Sequence, residues 1–131
     1  MRYMLTIIGE EGGWEDATPE DMRAVLNAWN DYTEALTSAG AFIAGEGLQE
    51  SSAATTVRGF EGDERLVTDG PFAETKEQLG GFYLIEVANL DEALEWAKKM
   101  PARGGAVEVR PVMDYDAFGA GEASATADAS A

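Results

Sequence analysis

An α+β fold with one antiparallel sheet and two helices on a single face is the architecture this sequence predicts. Three observations carry it: four main apolar runs with strand character, two amphipathic segments with strong capping signals, and the order in which they alternate. The chain has 131 residues, of which 45% are hydrophobic, enough for one domain with a real core. A domain of this size buries roughly two-thirds of the surface its unfolded chain exposes. Association with a second copy would therefore add substantially to its burial.

Residues 2–8 form an apolar, β-branched run ending at Gly9, which reads as a buried strand. A polar loop, GEEGGWEDA, follows. Thr18, Pro19, Glu20 and Asp21 then supply a capping hydroxyl, a proline at the first helical position and acids in the first turn. Met22, Val25, Leu26, Trp29, Tyr32 and Leu36 recur at three- and four-residue steps, so one helical stripe is apolar, and Gly40 is a natural stop. Residues 41–48 (AFIAGEGL) read as a second strand, and residues 55–60 and 64–68 as a hairpin around Glu61, Gly62 and Asp63. GFYLIEV, residues 81–87, is a third main strand. Asn89 caps a second helix with Asp91 and Glu92 in its first turn and Lys98 and Lys99 in its last, matching the helix dipole. Pro101 ends it, and AVEVRPV, residues 106–112, forms the final strand, with Pro111 placing its end at an edge or bend.

Strand, helix, strand, hairpin, strand, helix, strand is a ferredoxin-like order, with both helices on one face. If Val107 and Val109 face the helices, Glu108 and Arg110 face away, joined by Met4, Thr6, Phe82, Leu84 and Glu86. A face carrying Met, Phe and Leu calls for a partner sheet, so a homodimer is expected. Beyond Phe118 the tail GAGEASATADASA lacks any aromatic or large aliphatic residue and reads as disordered.

A net charge of −16 repels phosphate backbones and anionic lipid surfaces, which argues against nucleic acid or membrane as partners. The opening MRYMLTIIG is too short for a signal-peptide apolar region of roughly 7–15 residues, and a cytoplasmic protein is expected. Without cysteine there are no disulfides, zinc thiolates or cysteine nucleophile; without histidine the usual proton shuttle near neutral pH is missing. An all-carboxylate metal site would have to take Mg²⁺, Ca²⁺ or Mn²⁺, and no EF-hand spacing is present. Neither a P-loop, a Rossmann glycine pattern nor a serine elbow occurs, so no cofactor and no metal are expected.

The stretch TDGPFAETKEQLGG, residues 68–81, places an aspartate against a Gly-Pro corner, adds Glu74, Lys76 and Glu77, and closes on two glycines. Its Asp69-Gly70-Pro71-Phe72 resembles the DGPF motif of the YCII-related proteins. The likeness extends through VTDGPFAETKEQLGGFYLIEV, LDEALEWAKKMP and VEVRP, with YMLTI and GEGL agreeing upstream, and covers residues 2–113. It divides the chain into a YCII-related domain at 1–113 and an acidic, Ala-rich tail at 114–131. The resemblance implies a ferredoxin-like protomer that dimerises into an α+β barrel. Most members of the DGPF group have no assigned activity. Some YCII-type relatives have been proposed as enzymes built on a His-Asp pair, which a chain without histidine does not reproduce. Many DGPF proteins are associated with extracytoplasmic-function sigma factors, implying a role beside transcriptional regulation.

Asp69 has two readings: a turn residue bonding its own backbone, or an electrostatic anchor at a pocket. Glu74, Lys76 and Glu77 form either a solvated charge cluster or a set that joins Asp69 at the barrel mouth, where like charges would make one carboxylate a usable acid or base. Asp69, Glu74 and Glu77 are thus the catalytic candidates. Tyr3, Trp14, Lys76 and Arg110 are the candidate ligand-binding residues. Tyr3, with Phe82, is most simply a core aromatic, whereas Trp14 in the glycine-rich loop is placed to cap a pocket. Glu86, Glu108 and Arg110 form either an architectural charge set between sheets or a receptor for a carboxylate or phosphate. A small pocket is expected where the DGPF corner meets the first and last strands. Two functions remain open: a small-molecule binding or sensing accessory protein, and an enzyme using carboxylate acid-base chemistry on a small organic substrate.

Overall fold

The computed structural model describes residues 1–118. Strand β1 (Arg2–Glu10) is followed by helix α1 (Pro19–Ser38), β2 (Phe42–Gly47), a 3-10 turn at Ser51–Ala53, and the strands β3 (Thr55–Arg58) and β4 (Leu66–Asp69). Then come β5 (Glu77–Glu86), helix α2 (Leu90–Lys98), β6 (Ala106–Pro111) and a closing 3-10 turn at Tyr115–Phe118. The main sheet has the order β2-β5-β1-β6 with every neighbour antiparallel, while β3 and β4 pair only with each other. Each helix therefore crosses over one intervening strand, which is the ferredoxin-like α+β arrangement expected from the element order. The acidic tail beyond Phe118 lies outside the described residues.

Period-two alternation divides the sheet into two faces. Tyr3 pairs with Ile85, and Leu5 with Tyr83 and Val109; these side chains meet the helices. Met4 pairs with Leu84 and Arg110, and Thr6 with Phe82 and Glu108, so these residues occupy the opposite face, as the alternation requires. The helix-side core joins Tyr3 and Leu5 to Tyr32 and Leu36 of α1, Ile85 of β5 and Ala93 of α2. Tyr83 lies edge-on to Tyr32 at 5.3 Å between ring centroids and stacks on Trp29 at 6.2 Å. Tyr32 donates to the Trp96 carbonyl at 2.7 Å, tying α1 to the end of α2.

Helix α1 begins where its signals put it. Asp21 N donates to Thr18 Oγ1 at 3.1 Å while Thr18 N donates to Asp21 Oδ2 at 3.0 Å, a reciprocal cap. The Thr18 amide, with help from its hydroxyl, holds the Asp21 carboxyl below its usual range. The apolar stripe of α1 is only half buried, however. Tyr32 and Leu36 enter the core, Val25 and Trp29 are half-buried, and Met22 and Leu26 are exposed. Val25 and Trp29 border an open cleft, Trp29 packing against the core as well.

Strand β5 starts four residues earlier than the apolar run suggests, at Glu77, with an irregularity opposite Ile7 and Ile8. Those added residues pair with β1, while Gly81 serves the other side: a Cβ there would come within 2.7 Å of the Glu46 carbonyl oxygen, so only glycine lets β2 and β5 approach so closely. Half of the stretch 68–81 is strand, with residues 70–76 connecting β4 to β5.

Burial pushes the Tyr32 phenol well above the ordinary tyrosine range, and neighbouring Tyr83 adds to the effect. With its folded pKa raised, Tyr32 contributes stability that is complete below the unfolded value of about 10 and declines as pH rises from there through the folded value. Tyr32→Phe should flatten the alkaline decline while costing about 1 kcal/mol at pH 7 through the lost bond to Trp96. Urea unfolding of both proteins at pH 7 and pH 11 checks this. An equally steep alkaline loss in the variant would assign the decline to other groups.

Candidate functional site

A cleft of about 610 Å³ opens between α1 and the end of the sheet, within the range of small-ligand pockets. Its walls come from the end of β1, the loop at residues 11–14, Val25 and Trp29 of α1, residues 48–50, the start of β5 and the α2–β6 connection. Two local devices bring these distant segments together. Glu11 reaches across to the 3-10 turn, accepting from Ser51 N and Ser51 Oγ, both at 2.6 Å. At Gly105, with φ of +73°, an added Cβ would lie 2.1 Å from the Ile8 carbonyl oxygen, so a side-chain-free residue seats the α2–β6 connection directly on β1.

Trp14 stands 40% exposed at the cleft, its loop turned back by a 3.0 Å bond from Ala17 N to the Trp14 carbonyl. The Arg103 guanidinium lies over its ring, 5.5 Å from the centroid. Trp29 forms part of another wall, fixed by its stack on Tyr83. Glu77 also lines the cleft, at the first position of β5.

The other sequence candidates sit elsewhere. Asp69 ends β4, exposed, on the small ribbon that packs chiefly on itself and not on the main sheet. Its corner is pinned to β3: Gly70 N donates to the Ala54 carbonyl, Thr56 Oγ1 to the Gly70 carbonyl and Arg58 to the Phe72 carbonyl, each at 2.7 Å. The Arg58 guanidinium also covers the Phe72 ring at 4.7 Å. Neither Asp69 nor Glu74 borders the cleft, so the pocket expected from the DGPF corner, the first strand and the last strand takes only the first strand from that set's candidates. The corner is carried away by its membership of the separate ribbon. Lys76 meets Glu10 at 3.7 Å, both well exposed, a contact that water largely screens.

Tyr3 is buried in the helix-side core, its hydroxyl against the Met1 sulfur at 3.7 Å. Arg110 lies on the opposite face, paired with Glu108 at 2.7 Å, while Glu86 pairs with the N-terminal amine at 2.6 Å. The expected three-residue charge set is therefore two separate pairs. Arg103 and the glycine pair after it were not foreseen; Arg103 between Pro101 and two glycines marks a connector, but only the fold shows what it faces. Among the described residues, no three or more Asp and Glu side chains gather closely enough to hold a metal ion, and no helix is long and apolar enough to cross a membrane.

An uncharacterized protein of Rhizobium meliloti (strain 1021) is similar, 52% identical over 71 residues, a stretch that is 52% of this chain and 56% of that protein. The chain thus matches only about half the length of that curated relative. The family model of the YCII-related domain matches residues 1–116, spanning every main-sheet strand and both helices. The chain belongs to the YCII-related family.

Proposed function

We propose that this chain is a small-molecule binding protein of the DGPF type, holding its ligand in the cleft between α1 and the sheet end and acting as a homodimer. The cleft itself carries the reading: two tryptophans from separate elements border a space of ligand size, with Arg103 and Glu77 supplying charge. A few polar groups against aromatic walls is the usual make-up of a small-molecule site. Acid-base catalysis needs an acid and a base around one reacting atom. Of its three carboxylate candidates only Glu77 lines the cleft, which weakens the enzymatic reading. A sensing role beside a sigma factor is the finer form of the binding proposal.

The homodimer is supported by the sheet face opposite the helices. Met4 is 37% exposed there and Phe82 is half-buried, flanking Leu84, which is 6% exposed within the single chain. Stacking two such faces would cover that side of the sheet.

A thermal-shift screen of small metabolites tests the site. A ligand at about a hundred times its dissociation constant should stabilise the native chain by roughly 2.7 kcal/mol. Trp14→Leu should abolish most of that gain without altering the unliganded melting temperature, since Trp14 sits outside the core. A shift retained in full by both Trp14→Leu and Glu77→Gln would place the ligand elsewhere.

A further inference from the structure

We infer that the cleft takes a small organic cation, an ammonium-bearing molecule with an apolar or aromatic body. The inference rests on the cleft being the ligand site. Charge is the first argument. Among the described residues its borders carry Glu10, Glu11, Glu50 and Glu77 against a single cation, Arg103. Glu11 is turned to Ser51, and the exposed Lys76 offsets Glu10 only weakly. The remaining field is negative, and a cleft lined by one sign of charge concentrates ligands of the other. The chain as a whole, at −16, adds to the same sign. An anion entering here would meet one guanidinium and a surplus of carboxylates.

The second argument is the Trp14 ring. An indole face attracts cations through its quadrupole, and within this cleft it already holds one, the Arg103 guanidinium at 5.5 Å. Arg103 is an exposed side chain just ahead of two glycines, held by its contact with the Trp14 ring and by attraction to the Asp21 carboxylate. It acts as an internal competitor, covering the ring until a better-desolvated ammonium displaces it. The apolar body of such a ligand would rest on the Val25 and Trp29 side of the cleft, and Glu77 would stand near its charge.

Two consequences of opposite sign follow for Arg103. Removing it should tighten the binding of a cation, by freeing Trp14 and deepening the negative field, and should weaken the binding of an anion. Isothermal titration calorimetry on the full chain at low salt, with benzyltrimethylammonium and benzoate as probes of similar body and opposite charge, reads both. Benzyltrimethylammonium is expected to bind at least tenfold more tightly than benzoate. Trp14→Leu should weaken the cation about tenfold, the range of a partly desolvated cation–π contact. Arg103→Ala should strengthen it severalfold. Circular dichroism melts of both variants verify that they fold.

Benzoate binding as tightly as the cation would overturn the inference, as would a cation affinity that Trp14→Leu leaves unchanged or Arg103→Ala lowers. Benzoate preference that still depends on Trp14 would reject the cation while leaving the cleft as the ligand site. Failure of both probes to bind at millimolar concentration would also reject the cation, and the metabolite screen would then decide the cleft separately.

Discussion

Leu36→Ala should remove about 3 kcal/mol of folding stability, the middle of the range for emptying a fully buried leucine site. Leu36 has no exposed surface and joins the last turns of α1 to the sheet through the Tyr3, Leu5 and Ile85 layer. The cluster it belongs to includes Tyr32 and Tyr83, held edge-on to each other, with Tyr32 bonded to the Trp96 carbonyl, so the core around it has little room to collapse into the void. Three kcal/mol is a large share of the 5–15 kcal/mol typical of a domain. The urea midpoint should fall by about 1.5 M at an unchanged slope. A loss below about 1 kcal/mol would mean that α1 is not held to the sheet as described. Leu26→Ala serves as the contrast: that residue is 60% exposed on the same helix and its loss should cost little.

Leu84→Lys should break the proposed dimer. Leu84 is only 6% exposed, yet it lies outside the helix-side cluster, opposite Met4 on one neighbouring strand and Ala44 on the other. It stands at the middle of the face that two copies would stack. An ammonium placed there would lose water within the protomer as well as between copies, so the variant should dissociate or unfold, and a circular dichroism melt tells the two apart. Light scattering at micromolar concentration should give twice the 14.0 kDa chain mass for the native protein and the single-chain mass for the variant. A native chain that runs as a monomer, or a variant that stays dimeric, would contradict the stacked arrangement.

The parts of the fold legible in the sequence are those that local chemistry decides. Thr18-Pro19 announces α1 because the cap needs only residues three apart, and Asn89 announces α2 in the same way, accepting from Glu92 N at 3.0 Å. The division of the sheet into a Leu5-Tyr83-Val109 face and a Met4-Leu84-Arg110 face follows from alternation alone. The cleft was not legible, because contacts remote in sequence assemble it. Nothing near Glu11 says that it will clasp Ser51, and nothing near Gly105 says that Ile8 will lie against its backbone. The apolar stripe of α1 runs further than the core does: Met22 and Leu26 repeat the pattern of core residues but are exposed, and Val25 borders the cleft. The DGPF corner, conspicuous as a string of letters, proves to be bound into a ribbon by Thr56 and Arg58. Glu77, nearly the plainest residue of that stretch, is the one that reaches the cleft.

Backbone amide chemical shifts of the labelled native chain, recorded during titration with a ligand selected by thermal shift, test the central claim most directly. The largest changes are expected at residues 12–14, 77–80 and 103–105, which meet only in the folded cleft. Changes concentrated instead on residues 55–72, the ribbon and its Gly-Pro corner, with the cleft amides unmoved, would contradict the account.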